Sequence, residues 1–391
     1  MSTAASAEKA IAKCTINEDC STSRENLEPS LSIYLDILRI TAALLVFAYH
    51  AKAKRLNGEW LSPIGNFGHD AVIIFFVLSG FVIAYTADKA AAQNSNINSF
   101  IKSRLARLTS VAIPALVFTV MADTLGQHFN PELYVEPYYI DSSPILRFMS
   151  NLLFLNEVWF SSWRAFSNGP FWSLSYEFFY YLLFSAAFFL RGVKRVAMCC
   201  GAALIAGPKI LLLMPTWLLG VLSYRASRNL NITPAIGLLL VLNSIFIYML
   251  YRVAEFPADL FTFTQALFGA DIVQQLKFSQ WFLNDYFVAA LVSTHLLGIA
   301  TIAPMLLKGK KFGVSIRTLA GTTFTLYLFH YPLLLLYSSV FSNSILVVLL
   351  TLISVALISL ITEGRKQQWL TLINQIASLK TKPFQRGIKL E

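Results

Sequence analysis

Eight stretches of this chain are apolar and long enough to cross a lipid bilayer, and they constrain its fold more than any other feature. Spanning the hydrocarbon core takes roughly 17–25 helical residues. Residues 33–52, 70–87, 104–122, 172–190, 232–252, 286–306, 318–339 and 345–362 meet that length. The stretch 196–225 suits either one long helix or two short ones broken near Gly207-Pro208. Composition agrees with the membrane reading. Of 391 residues, 56% are hydrophobic and only 13% charged, about half the charge fraction usual in soluble domains.

Charge decides the ambiguous stretch. Lysine and arginine favour the cytoplasmic side of a membrane protein in short loops. With two helices in 196–225 there are ten spans and both termini are cytoplasmic. That side then holds 22 of the 31 lysines and arginines and the outer loops hold seven. A single helix would invert everything downstream and turn twelve basic residues outward. The expected fold is therefore an all-α, polytopic integral membrane protein of about ten helices. Residues 1–32 read as a disordered cytoplasmic arm, 33–362 as the transmembrane domain and 363–391 as a basic cytoplasmic tail.

The formal charge of +10 follows from this topology, so the partner it indicates is the lipid bilayer and not nucleic acid. The first thirty residues are polar and lack the apolar core of a signal peptide. Cys14 and Cys20 lie on the arm, Cys199 and Cys200 inside a span, without metal-ligand spacing or a disulfide framework. Two outer segments, 123–171 and 253–285, are long enough to shape a binding surface.

Ionisable residues at membrane depth are costly and usually mark a pathway or a site. Five places carry them. In LDILRITAALLVFAYH (35–50), Asp36, Arg39 and His50 fall on one face of one helix. Eleven residues at about 100° each return His50 to within about 20° of Arg39, at a rise of about 16 Å. His69 and Asp70 open the second span. Arg104 and Arg107 lie on adjacent turns at the cytoplasmic mouth of the third. Glu177 follows Trp172 and Tyr176 into the fourth, and His330 sits deep in the ninth, two residues before Pro332. Each charge alone has an ordinary explanation, such as an interfacial anchor, a neutralising pair or a helix-end charge. Together they are too many for one small bundle to embed without use.

Other chemistry is missing. There is no phosphate-cradling glycine loop, metalloprotease helix or Gly-x-Ser-x-Gly elbow. Ser79 in LSGF is too generic to mark a nucleophile, and two lone histidines on separate spans are weak grounds for a haem. What remains is a histidine able to act as general base, charges to orient it, and an arginine pair suited to a phosphorylated ligand from the cytosol.

These segments, in this order, resemble the acyltransferase 3 family of bacterial membrane O-acyltransferases, over residues from about 33 to 362. The family's arginine, ten residues and histidine correspond to Arg39 and His50. Its FFVLSGF block corresponds to 75–81, its Arg-x-x-Arg to Arg104 and Arg107, its WSLSYE block to 172–177, and its late histidine to His330 before Pro332. The first span departs slightly, reading LDILRI where LDGLRA is usual, and the fused extracellular domain of some members is not expected here.

The resemblance implies transfer of an acyl group, usually acetyl from acetyl-CoA, to a sugar hydroxyl of an envelope or secreted glycan. It also implies a bacterial inner-membrane location and about ten spans. Acyl-CoA would be a donor substrate, with no permanently bound cofactor and no metal. On this reading Arg104 and Arg107 hold the CoA phosphates. His50 is the general base, with Arg39 and Glu177 as further catalytic groups. Asp36, His69, Asp70, Trp172, Tyr176 and His330 serve the glycan or lipid-linked sugar, the two aromatics as a stacking face. The alternative is a proton-coupled transporter of a small solute or lipid-linked sugar using His50, Glu177 and His330 as a relay. Transporters often carry repeated halves, and no repeat is visible here.

Overall fold

The computed structural model describes residues 27–307 and 313–379. Among them every extended element is a helix. The ten longest are α1 (Pro29–Ala51), α2 (Gly68–Ala92), α3 (Ile97–Phe129), α4 (Trp172–Phe189), α5 (Gly192–Ala206), α6 (Pro208–Asn229), α7 (Pro234–Val253), α8 (Phe282–Leu306), α9 (Thr323–Val340) and α10 (Ser344–Ile361). Among the described residues seven helices are long and apolar enough to cross a membrane. An eighth is added if Gly313–Ala320 and α9, bent by 46° at a short break, count as one span. The expected count of ten is therefore approximate. Helix α4 is diluted by Glu177, three tyrosines and three serines, and α5 has only 15 residues, about 22 Å of rise. The chain is a multi-pass membrane protein.

The break expected near Gly207-Pro208 is present. Gly207 has φ +78°, and Pro208 opens α6, where its missing N–H costs nothing. A Cβ on Gly207 would lie 2.6 Å from the Trp159 Cα, so the loop backbone fits only a glycine there.

Helical structure continues past both edges of the expected transmembrane domain. Helix α1 begins at Pro29, inside the stretch read as an arm, because Glu28 caps the Leu31 N–H at 2.8 Å. At the other end Glu363 accepts from the Thr325 N–H (2.7 Å) and hydroxyl (3.0 Å), and Lys366–Leu379 forms a helix packed along α3. The rest of the arm, with Cys14 and Cys20, and residues 380–391 of the tail lie outside the described residues.

Without a hydrophobic drive between helices in lipid, close approach of small residues holds such bundles together. Helices α2 and α6 run side by side in the same direction through the centre and meet at two glycines. A Cβ on Gly80 would lie 2.0 Å from the Trp217 carbonyl oxygen, and one on Gly220 would lie 1.9 Å from that of Val77. Beyond α4, a buried ion pair ties a loop to the α5–α6 break. Lys209 Nζ donates to Glu157 Oε2 at 2.7 Å and to the Ser161 carbonyl at 2.6 Å. Burial pushes the Glu157 carboxyl above its ordinary range, and Lys209 and the Ser162 hydroxyl pull against that shift.

The bundle has two faces. The first carries the starts of α1 and α9 and the end of α10. The second carries their opposite ends, the loop 52–67 and the connection 130–171.

Candidate active site

A cavity of about 330 Å³ runs between α1, α2, α3, α4 and α9 from the first face toward mid-depth. That volume is in the range of small-ligand sites. Asp36, Arg317, Gly321 and Glu363 line it near the first face. Arg39, Arg107, Ser79, Glu177 and Tyr181 line its middle, and Ser173 and Tyr327 belong to its far end. The α2 lining runs from Val72 to Ile83, about 16 Å of helix. The lining sets charged groups among aromatic and aliphatic ones because the polar side chains that α1, α3 and α4 keep at membrane depth turn inward, away from lipid.

The charges are partly spent on one another. Arg39 donates to Asp36 at 3.3 Å. Glu177 Oε1 accepts from the Ser79 hydroxyl at 2.9 Å and from the Tyr181 hydroxyl, and Ser79 Oγ accepts from Trp217 Nε1 at 3.2 Å. Ser79 thus gives its proton to a carboxylate. Arg107 faces the cavity with no ion pair among the described residues.

The two histidines lie beyond the far end of this cavity. Tyr327 closes that end with a 2.8 Å hydrogen bond to the Ser173 hydroxyl, and His330 follows one turn further along α9. His330 is fully buried, and its Nδ1 lies 2.8 Å from the Leu326 carbonyl oxygen. A carbonyl only accepts, so in the neutral ring Nδ1 carries the proton and Nε2 the lone pair. His50 Nδ1 stands 3.1 Å from that Nε2 and 3.0 Å from the Val46 carbonyl oxygen. Facing two acceptors, His50 Nδ1 must also carry its proton. The His50 Nε2 lone pair is then free, and it takes no hydrogen bond among the described residues. The Tyr331 ring lies 5.0 Å from the His50 ring, toward the second face.

The structure therefore divides the residues singled out by sequence. Asp36, Arg39, Arg107 and Glu177 share the cavity, while His50 and His330 form a separate pair beyond it. Arg104 does not join Arg107. It packs over the Phe100 ring at 5.2 Å and donates to Ser103 Oγ at 3.4 Å, so the two do not present one guanidinium fork. Glu177 faces Ser79 and Tyr181 rather than His50, because α4 begins at buried Trp172, already deep in the bundle.

Four residues expected at a sugar site are engaged elsewhere. Trp172 lies flat on Phe278, centroids 4.4 Å apart and planes 2° from parallel, so its stacking face is filled from within the protein. Tyr176 is fully buried and its hydroxyl pairs with Ser279 Oγ at 2.9 Å. His69 pairs with buried Asp285 at 2.7 Å. Asp70 accepts from Tyr248 at 2.6 Å and from Arg252 at 3.2 Å. None of these four lines the cavity or touches either histidine.

Sequence reading missed Ser173, and it missed Tyr181 and Tyr327, two hydroxyls indistinguishable from others in aromatic spans. It also missed Glu363 and Arg317 at the cavity mouth, and Arg55, Arg164 and Tyr331 above His50. Tyr331, between His330 and Pro332, and Ser173, inside the WSLSYE block, carried a signal.

Comparison with known proteins places this geometry. The acyltransferase 3 family model, described as an acyltransferase domain, matches residues 32–363. The O-acetyltransferase OatA of Staphylococcus aureus is 25% identical over 351 residues, covering 84% of this chain and 55% of that protein. The chain thus spans about half the length of that curated relative. An O-acetyl transferase of Shigella phage Sf6 is 25% identical over 164 residues (39% of this chain, 44% of that protein). The acyltransferase MdmB of Streptomyces mycarofaciens is 29% identical over 163 residues (38% and 36%). No solved structure matches the chain. With the family model covering nearly all of the described bundle, the chain belongs to the acyltransferase 3 family of membrane-embedded acyltransferases.

Proposed function

We propose that this protein is an O-acetyltransferase of a bacterial inner membrane, taking acetyl from acetyl-CoA on the first, cytoplasmic face. The acceptor is a hydroxyl of an envelope or secreted glycan, approaching from the second face. The observation that carries this reading is the free His50 Nε2 lone pair, poised beyond the end of an arginine-lined cavity.

Arg107, with Arg317 nearer the mouth, offers guanidinium groups to the donor's phosphates, and the acyl-pantetheine arm follows the cavity past Ser79 and Glu177. Passage of the thioester to the histidines requires the Tyr327–Ser173 contact to open. His50 Nε2 then removes the acceptor hydroxyl proton as that oxygen attacks the thioester carbonyl. The C–O bond forms, the C–S bond breaks, and the proton taken by His50 passes to the departing CoA thiolate. The Leu326 carbonyl and His330 hold the His50 tautomer, the role a carboxylate plays in a hydrolase triad. The alternative order, in which His50 is itself acylated before the glycan attacks, uses the same lone pair. Names of the relatives support the acetyl group, since two of the three are O-acetyl transferases.

The test uses the purified protein in lipid nanodiscs with radiolabelled acetyl-CoA and a panel of glycans. Label in the glycan supports the enzyme. Sealed vesicles that take up solute while leaving acetyl-CoA intact would overturn it in favour of a proton-coupled carrier.

A further inference from the structure

Above the histidines, on the second face, two arginines converge on one tyrosine. Arg55 donates through Nη2 to the Tyr331 hydroxyl and through Nη1 to the Leu133 carbonyl at 2.8 Å, and lies 3.7 Å from the centre of the Tyr138 ring. Arg164 lies 5.8 Å from the centre of the Tyr331 ring and donates to the carbonyls of Pro137 (2.5 Å) and Ser167 (3.3 Å). Neither guanidinium is in an ion pair among the described residues. Asp123 lies one link behind Arg164, but it accepts the Ser167 N–H (3.0 Å) and hydroxyl (2.6 Å) instead. The Nε of each arginine is buried without a partner.

Arg55 also lines a groove of about 280 Å³ on this face. Asn57, Asn130, Ser338, Ser339 and Ser342 line it too, a set of donors and acceptors suited to sugar hydroxyls. The Ser338 hydroxyl is buried and unpartnered. Tyr331 connects the two regions, with Arg55 on its hydroxyl and His50 against its ring.

Two guanidinium groups outside any ion pair among the described residues, beside a polar groove and one side chain from the base, favour a negatively charged ligand. Guanidinium is the group that pairs best with planar carboxylate and with phosphate. We propose that the acceptor is an anionic glycan, its carboxylate or phosphate held at Arg55 and Arg164 while a neighbouring hydroxyl reaches His50. This rests on the O-acetyltransferase reading above and names the acceptor class for it. A carboxylate would belong to a uronic acid residue and a phosphate to a glycosyl phosphate or lipid-linked sugar.

The test is binding to the whole protein in nanodiscs without donor. Three probes are compared: a uronic acid oligosaccharide, the same oligosaccharide with its carboxyls converted to amides, and a neutral sugar carrying an anomeric phosphate. One anion, carboxylate or phosphate, should bind at least about tenfold more tightly than the amide, the usual advantage of charge-assisted hydrogen bonds. Which anion does so identifies its source. Arg55→Gln should bring acid and amide to within about twofold of each other, while Arg55→Lys keeps part of the difference.

Equal binding of all three probes by the unaltered protein, or no binding of any, overturns the proposal. So does an Arg55→Gln variant that weakens acid and amide equally, because Arg55 would then only clamp the 131–138 loop. Because binding is read without transfer, the two proposals fail separately. A protein that distinguishes charge but moves no acetyl supports the anion site and refutes the enzyme. A protein that acetylates acid and amide with equal KM refutes the anion site and leaves the enzyme standing.

Discussion

His50 and His330 are 280 residues apart in sequence and 3.1 Å apart in space, in a line of hydrogen bonds that ends on the Leu326 carbonyl. The arrangement sets a direction. His330 gives its proton to the backbone, His50 gives its own to His330, and the only ring nitrogen left with a lone pair is His50 Nε2. On the mechanism proposed above, base and orienting partner are thus distinguished by what each ring faces.

Replacing the two histidines should have unequal effects. His50→Gln keeps a hydrogen-bonding side chain but no useful base, and should cut kcat by about 10²–10⁴-fold, the usual contribution of general-base catalysis. His330→Ala removes the acceptor that faces His50 Nδ1 but leaves the base, so the expected loss is smaller than that of His50→Gln. The measurement is acetyl transfer by purified, monodisperse variants at saturating donor. Equal losses would assign the two rings one shared role.

Much of this site was legible in the sequence for one reason: charge is rare in an apolar span, so each exception stands out. Asp36, Arg39, Arg107, Glu177, His50 and His330 all announce themselves that way. Their grouping does not. Nothing in the chain says that Glu177 faces Ser79 rather than His50, because that depends on how deeply α4 starts. Trp172 and Tyr176 read as a ligand face because aromatic clusters look alike whether they meet sugar or Phe278. Arg55 and Arg164 were passed over because arginines just outside a span are the commonest residues there. The fold was more legible than the site: hydrophobic length and the Gly207-Pro208 break located the helices, while Glu363 and the helix after it, beyond the last apolar run, left no such mark.

Orientation can be checked by labelling. In a variant lacking all four native cysteines, Gln274→Cys, exposed on the second face, should react with an impermeant maleimide added to intact cells. Ser315→Cys, exposed on the first face, should react only after permeabilisation. The reverse pattern would turn the cavity mouth away from cytosolic CoA.

The α2–α6 crossing should tolerate no side chain. Gly80→Ala places a methyl 2.0 Å from a backbone carbonyl oxygen, and helix backbones yield less readily than a flexible side chain. Overpacking of this kind costs about 1–3 kcal/mol, so the detergent melting temperature should fall by several degrees. Gly201→Ala, which has nothing within 4 Å, is the matched control and should melt with the unaltered protein.

The Lys209–Glu157 pair should behave as a unit. Lys209→Met leaves a buried carboxylate and Glu157→Leu leaves a buried ammonium, and either should cost about 3–5 kcal/mol. The double variant removes both charges and should recover most of that loss, a coupling that a double-mutant cycle on thermal stability reads directly. Additive single effects would mean that the two groups are held by Ser161 and Ser162 rather than by each other.

The two arginines of the Arg-x-x-Arg sequence should separate most clearly in donor kinetics. Both sit on α3, three residues apart, yet only Arg107 lines the cavity. Arg104 spends its guanidinium on the Phe100 face and the Ser103 hydroxyl. If the donor's phosphates are met inside the cavity, Arg107→Ala should raise the KM for acetyl-CoA by about tenfold or more, the worth of one charge-assisted contact. Arg104→Ala should change it by less than about threefold. The glycan KM should hardly move in either, because both arginines lie on the far side of the histidines from the acceptor groove. Arg107→Lys refines the point: an ammonium restores charge without the planar fork, so partial recovery indicates electrostatic attraction and no recovery indicates bidentate contact. Equal donor KM effects at the two positions would mean that the donor reaches beyond this cavity to Arg104, and that the phosphates sit nearer the first face than the lining residues indicate.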